Sequence, residues 1–202
     1  WRFIGTYLVY GQWKQLVVGG IRALADAFVL TGEQQYAHKA GVLLDRVADL
    51  YPTFDFGEQA ILYEREGDRG YVSTWHDACE ETRQMVLAYD AIRPGLEDDE
   101  SLVIFLRRKA REVKVHSPKG TLTHIHANIQ RRILRDVLRH PHKIRTNFPR
   151  DEICKIVIHM VLGWPDNREQ VLGKLDRMLK KTTAVDGLTG EKGLCAYTSY
   201  TI

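Results

Sequence analysis

The chain has 202 residues, of which 44% are hydrophobic and 27% charged, and its formal net charge is +3. This composition is typical of a folded domain with a full core, and it excludes a disordered or collagen-like chain. No apolar stretch approaches the roughly 20 residues that a membrane helix needs, and so small a charge argues against nucleic-acid binding driven by counterion release.

Apolar residues recur at three- and four-residue spacing along most of the chain, which predicts a series of amphipathic helices. The predicted helices span residues 16–29, 36–50, 75–92, 99–115, 125–138, 149–160 and 171–179. Helix stops lie between them, namely Gly32, Pro52, the pair Pro94-Gly95 and Pro141. No convincing alternating strand interrupts this pattern, so we expect an all-α domain over residues 1–202.

Consecutive helices with short connections pair as antiparallel hairpins, and such hairpins bury their apolar faces only against neighbouring hairpins. The sequence repeats weakly, which favours part of an incomplete (α/α) toroid over a regular solenoid. Two longer connections, residues 51–74 and 139–148, are of a length often linked to function. The chain begins at Trp1 and ends at Ile202 within an apolar segment, so we expect a fragment of a longer protein.

Two short segments carry the most specific chemistry. Asn147 stands before an apolar helix, and the pair Asp186-Gly187 precedes a segment that contains Tyr197 and Tyr200. In type and order, these segments resemble those of the heparinase II/III-like and alginate-lyase-like polysaccharide lyases. The helix pairs over residues 9–50 and 75–92 also resemble helix pairs of that (α/α) toroid. The resemblance implies that the β-sandwich domain usual in the family lies outside this chain.

The resemblance implies a lyase that cleaves uronic-acid-containing acidic glycans by β-elimination, without a cofactor or a metal. Asn147 would neutralise the uronate carboxyl group, and Tyr197 would transfer the proton, helped by a cation because the pKa of tyrosine is near 10. A periplasmic or secreted location would follow from the same resemblance. The substrate-binding residues predicted with this pair are Arg145, Arg150, Trp75, His76, Glu81 and Tyr200.

Each of these residues also has a structural interpretation. Asn147 is equally a candidate N-cap for the helix that follows it. Glu81 and its neighbours are expected on a solvent-exposed first turn, where acidic groups favour the helix dipole, in preference to the lining of a cleft. Phe148 follows Asn147 where many of these lyases have histidine or tryptophan, and a phenyl ring neither neutralises charge nor relays a proton.

Other functions stay open on the sequence alone. An α/α-toroid glycoside hydrolase would use a carboxylate pair, either Asp77 with Glu80 or Asp186 with Glu191. A catalytically silent helical scaffold that binds glycan or protein is favoured by Phe148. The pairs His124-x-His126 and His140-x-His142 are expected to be surface histidines and not metal ligands. The basic cluster of Arg131, Arg132, Arg135 and Arg139 could face an anionic ligand.

Overall fold

A computed structural model describes residues 11–54 and 75–182 of the chain. Within these two ranges the chain forms seven helical rods and no β-strand, which confirms the all-α prediction. Among the helices described, none offers the long apolar stretch that a membrane span requires.

The helices follow the predicted order closely. The first rod begins with a π-helical segment, Trp13–Val18, which continues into α1, Gly19–Thr31. Gly32 ends this rod in the left-handed conformation, with φ of 72°, and α2, Gln34–Leu50, returns against it. The later helices are α3 (Trp75–Leu96), α4 (Glu100–Glu112), α5 (Leu122–Ile129), α6 (Arg135–Arg139), α7 (Arg150–Gly163) and α8 (Arg168–Thr182). A π-helical segment, Gln130–Leu134, joins α5 and α6 into one rod, and 3-10 turns lie at Tyr51–Thr53 and Pro141–Ile144.

Helix α3 lies at the centre of the described fold. It packs against α1, α2 and α7, and it also contacts the turn Pro141–Ile144. Its apolar residues Val86, Tyr89 and Ile92 are completely buried. Because α3 contacts both the α1–α2 hairpin and α7, it connects the N-terminal and C-terminal helices through one apolar core.

The expected chain break at Pro94-Gly95 is wrong in position, because α3 continues through both residues to Leu96. Pro94 lies in the last turn, and Asp90, whose carbonyl loses a helical partner, is exposed and accessible to water. Gly95 permits a close approach, since a Cβ atom there would lie 2.6 Å from both the Cβ of Ala37 and the ring of Phe28. The chain turns instead at Asp98, where φ is 65°.

The expected pairing of α3 with α4 is minor, because α4 packs chiefly against α2 and α5. Only Leu102 and Leu106 of α4 are buried, so this helix covers the edge of the core. Gly41 of α2 lets α4 come near, since an added Cβ would lie 3.3 Å from a methyl group of Leu102.

Buried polar groups fix the α5 rod to the C-terminal end of α2. Lys119 precedes α5 and donates to Asp45 and Asp49 at 2.6 and 2.8 Å, with its side chain 2% exposed. The guanidinium of Arg132 donates to the backbone carbonyls of Ala48 and Asp49, both at 2.9 Å. One member of the predicted basic cluster is therefore structural, since it satisfies terminal carbonyls of a helix. The other three arginines are exposed, namely Arg131, Arg135 and Arg139.

Candidate functional site

Asn147 lies three residues before the first residue of α7, too far from the helix to cap it. The N-cap position is occupied by Pro149, and no side chain caps this helix. The backbone carbonyl of Asn147 instead accepts a hydrogen bond from the amide of Arg150 at 3.0 Å, which closes a turn before the helix. The N-cap interpretation of Asn147 is therefore wrong. Its half-buried side-chain amide makes no hydrogen bond to another described residue.

Cations surround this turn. Arg145 and Arg150 flank Asn147 in the sequence, and both are exposed. The ammonium group of Lys181, near the end of α8, lies 4.1 Å from the centroid of the Phe148 ring. We refer to Arg145, Asn147, Phe148, Arg150 and Lys181 as the α7 N-terminal cluster. Sequence reasoning missed Lys181, because only the return of α8 alongside α7 brings it to this turn.

The acidic residues on the first turn of α7 are paired with a lysine of the same helix. Asp151 and Glu152 accept hydrogen bonds from Lys155 at 3.0 and 2.7 Å. Lys155 therefore offsets part of their charge within α7 itself, and the α7 N-terminal cluster contains cations and no carboxylate. A local excess of positive charge of this kind attracts an anionic group.

Helix α3 lies beside the α7 N-terminal cluster. The Cys79 thiol donates to the backbone carbonyl of Arg150 at 3.6 Å. The next residue, Glu80, accepts two hydrogen bonds from Arg83, which lies about one turn further along α3, at 2.7 and 3.0 Å. Burial raises the pKa of Glu80, but hydrogen bonds from Arg83 and Gln84 and the charges of Arg83 and Arg150 outweigh it, so the net shift is downward. Glu80 is therefore a stable carboxylate and a poor general acid near neutral pH.

Glu81 does not lie on an exposed first turn, and that interpretation is wrong for this residue. Its side chain is 4% exposed and accepts a hydrogen bond from the indole of Trp13 at 2.8 Å. Asp77, the proposed hydrolase partner of Glu80, instead bonds to Lys14 at 3.0 Å. The two carboxylates thus have different cations as partners, and nothing in the described contacts joins them as a pair.

The roles of Trp75, His76, Tyr197 and Tyr200 as site residues stay predictions. Trp75 and His76 are the first two residues of α3, on the helix that lies beside the α7 N-terminal cluster. Tyr197 and Tyr200 lie outside the described residues. The pair Asp186 and Glu191 also lies outside them. The structure brings α3 to Arg150, through the thiol of Cys79.

A serine, a histidine and an aspartate meet elsewhere, but their geometry is that of a helix cap. Asp99 accepts from Nδ1 of His38 at 2.9 Å and from Ser101 at 2.7 Å, and it caps α4 by accepting from the amide of Leu102 at 2.9 Å. The hydroxyl of Ser101 also faces Nδ1 of His38, at 3.4 Å. A catalytic triad needs the nucleophile and the acid on opposite ring nitrogens, so this group is structural.

The two histidine pairs have separate roles. His126 bonds to the buried hydroxyl of Tyr89 at 2.9 Å, and burial together with the charge of Arg93 lowers its pKa. His140 lies 3.1 Å from a carboxylate oxygen of Asp136. Within residues 11–54 and 75–182, no group of three or more histidine, cysteine or acidic side chains has the arrangement of a metal site.

The chain matches no known family model, no curated protein and no solved structure. Its function must therefore be inferred from the residues and their geometry.

Proposed function

We propose that this chain forms part of the (α/α) toroid of a polysaccharide lyase, and that the lyase cleaves uronic-acid-containing glycans by β-elimination at the α7 N-terminal cluster. The observation that carries the proposal is the state of Asn147. Its amide is not used as a helix cap, and it lies between Arg145 and Arg150 in the sequence, next to the Phe148 ring that the ammonium group of Lys181 approaches.

The proposed role of Asn147 follows from the chemistry of its amide. The amide NH₂ has two donors, which can hold the carboxylate of a uronate and the enolate into which it develops. Donors held in place before the reaction stabilise developing charge more effectively than water does. The positive groups of Arg145, Arg150 and Lys181 act in the same direction at longer range. Lys181 supplies the charge that Phe148, next to Asn147, cannot.

Tyr197 is the proposed proton-transfer residue. In the reaction, the C5–H bond breaks and its proton passes to the base, a C4–C5 double bond forms, and the C4–O bond breaks. The departing oxygen takes a proton from the general acid. A phenol with an ordinary pKa near 10 needs neighbouring positive charge to act as a base near neutral pH. The cations of the α7 N-terminal cluster would meet this need if residue 197 returns to the turn.

The helix arrangement is consistent with a toroid segment. The α1–α2 and α7–α8 pairs are hairpins with short connections, and α3 packs between α2 and α7. In a toroid, the helices nearest the centre supply the cleft. We therefore propose that α3 and α7 belong to that inner layer, with Trp75 and His76 near the cleft and Tyr200 beside Tyr197. Glu81 is not included, because it is buried against Trp13.

Substitutions in a protein that contains the full chain test the proposal. Tyr197→Phe keeps the ring, so we expect a rate loss of roughly 100- to 10,000-fold with little change in folding. Asn147→Ala is expected to cost about 100- to 1,000-fold in rate, the loss typical of one oxyanion donor. Ultraviolet absorbance of the unsaturated uronate product measures both rates, and a thermal melt checks that each variant is folded.

Matched substitutions serve as controls. Lys181→Gln should weaken activity, whereas Lys180→Gln should not, because Lys180 is exposed and pairs with Asp176 at 2.7 Å. Tyr36→Phe on α2 controls for the loss of a tyrosine hydroxyl. New reducing ends without an unsaturated product would identify a glycoside hydrolase instead. Glycan binding without any cleavage would identify a silent scaffold, and either result would contradict the lyase proposal.

A further inference from the structure

A cavity of about 350 Å³ lies between the C-terminal half of α4 and the loop that follows it. Its volume is at the lower end of the roughly 300–1,000 Å³ that is typical of ligand pockets. Arg107, Arg111 and Lys114 line one side, and His116 and Pro118 line the other. We call this feature the α4 cavity.

The cations of the α4 cavity lack acidic partners. Arg107, Arg111 and Lys114 are all exposed, and none forms an ion pair with a carboxylate in the described residues. Arg107 and Arg111 are four residues apart, so they lie on one face of the helix. The adjacent Arg108 and Lys109 differ, because they lie 3.8 and 2.7 Å from the carboxylate of Glu112. The one acidic side chain of this segment is therefore engaged outside the cavity.

The loop that lines the α4 cavity is anchored at its C-terminal end. Lys119, which ends the loop, is buried and bonded to Asp45 and Asp49, and Asn128 donates to the same two carboxylates at 2.9 and 3.0 Å. Burial raises the pKa of Asp45 more than Lys119 and Asn128 lower it. A wall fixed before binding reduces the entropy that a ligand loses on binding.

We propose that the α4 cavity binds carboxylate or sulfate groups of an acidic glycan, at a second site away from the α7 N-terminal cluster. The choice of a glycan rests on the proposed function, while the preference for an anion rests on the cavity itself. Guanidinium groups bind carboxylate, sulfate and phosphate oxygens in pairs, which suits each of these anions. Single-stranded nucleic acid is the weaker candidate, because its binding relies on aromatic side chains and no Phe, Tyr or Trp lines this cavity.

Such a site would hold one stretch of a long glycan while another stretch is cleaved. Linking two binding events on one chain raises the overall affinity well above that of either site. Long substrates, which can occupy both sites at once, would therefore bind more tightly than short ones.

The test uses fluorescence anisotropy of the full chain with a labelled oligouronate and a labelled sulfated oligosaccharide. We expect the double substitution Arg107→Ala and Arg111→Ala to weaken binding of at least one of these probes by roughly tenfold or more at low salt, and to reduce its salt dependence. The matched control, Arg108→Ala with Lys109→Ala, removes the same charge from the same helix and should change binding much less. A thermal melt confirms that both double variants are folded.

Several outcomes would overturn this inference. If both double variants lost the same affinity, the effect would be due to net charge and not to the α4 cavity. If neither probe bound, the proposed anion site would be wrong. Tighter binding of single-stranded DNA of matched charge would show that the ligand class is wrong. The proposed function is tested separately. If no unsaturated product formed but binding still depended on Arg107 and Arg111, the lyase proposal would be contradicted and the α4 cavity supported.

Discussion

Asp99 shows how a single side chain connects two segments that are distant in sequence. One oxygen of its carboxylate caps α4 through the amide of Leu102 and also accepts from Ser101, while the other accepts from His38 on α2. Burial raises the pKa of Asp99, but the hydrogen bonds from Ser101, Leu102 and His38 outweigh it and lower the pKa below its ordinary value. The ionised form is thus the one that stabilises the fold.

The lowered pKa of Asp99 predicts a pH-dependent contribution to stability. Because the folded-state pKa lies below the ordinary value of about 3.9, the contribution is complete above that pH and is lost as pH falls through the folded-state pKa. Asp99→Asn keeps a good capping side chain but removes the charge, so it should destabilise the fold at pH 7 by about 2 kcal/mol or less. Urea unfolding at pH 7 and pH 3 measures the difference between variant and parent. A difference of the same size at both pH values would contradict this account.

Individual site residues were predictable only where their neighbours in sequence decide their surroundings. The position of Asn147 before a helix was predictable from the apolar period that follows it, whereas its failure to cap depends on the turn that its own carbonyl closes. The burial of Glu81 depends on Trp13, and the ammonium group near Phe148 comes from Lys181. Contacts across such separations leave no trace in local periodicity.

At the scale of helices, a glycine decides how closely three helices approach. Gly95 lies where α3 meets α1 and α2, and a Cβ there would lie 2.6 Å from Ala37 and from the Phe28 ring. Real Cβ atoms do not come so close, so an added methyl group must displace one neighbour. The absence of a side chain at Gly95 therefore allows α3 to pack closely against α1 and α2.

Gly95→Ala is expected to destabilise the fold by about 1–3 kcal/mol, because the cost of overpacking exceeds the gain in helix propensity. Gly173→Ala on α8 is the matched control. The nearest atom to a Cβ there is a guanidinium nitrogen of Arg177 at 3.8 Å, so the substitution should stabilise the fold by about 0.5–1 kcal/mol. Chemical denaturation of both variants gives the two values, and a stabilised Gly95→Ala variant would contradict the packing argument.

The elements themselves were predictable from sequence to within a few residues, since each has a strong helical period. The periodicity does not reveal where a helix departs from regular α-helical geometry. The π-helical segment Gln130–Leu134 is continuous with α5 and α6, and the apolar pattern reads straight through it. Pro94 was expected to end α3 because proline lacks an amide, but the last turn tolerates it next to an exposed Asp90. The choice of α2 and α5 as partners of α4 depends on side-chain fit across the core.

For the whole molecule, two thiols report on the contact between α3 and α7. Cys79 and Cys154 are free, with exposed fractions of 3% and 0%. A hydrogen bond with Cys79, together with burial, raises the pKa of the Cys154 thiol well above its usual value. Reagents that attack thiolates should therefore reach neither group while α3 and α7 remain packed.

We expect at most one of the three cysteines to react with a thiol reagent in the native chain, and all three after denaturation. Any native reaction is then assigned to Cys195, which lies outside the described residues. Cys195→Ser should accordingly abolish the native reaction. In a denaturant series, reaction of the other two thiols should follow the loss of helical circular dichroism, since both report one cooperative unfolding. Fast reaction of a second thiol in the native chain would contradict the burial of this pair.

The central position of α3 sets the order in which the chain can fold while it is being made. The α1–α2 hairpin leaves the ribosome before α3, yet the apolar faces of both its helices pack on that later helix. Helix α7 also packs on α3, but it is synthesised after its partner and finds that surface already present. The nascent chain therefore passes through an interval in which the first hairpin is complete and its apolar side is still exposed to other chains. A slower ribosome while α3 is still inside the exit tunnel would lengthen that interval, and aggregation of newly made protein would increase with it.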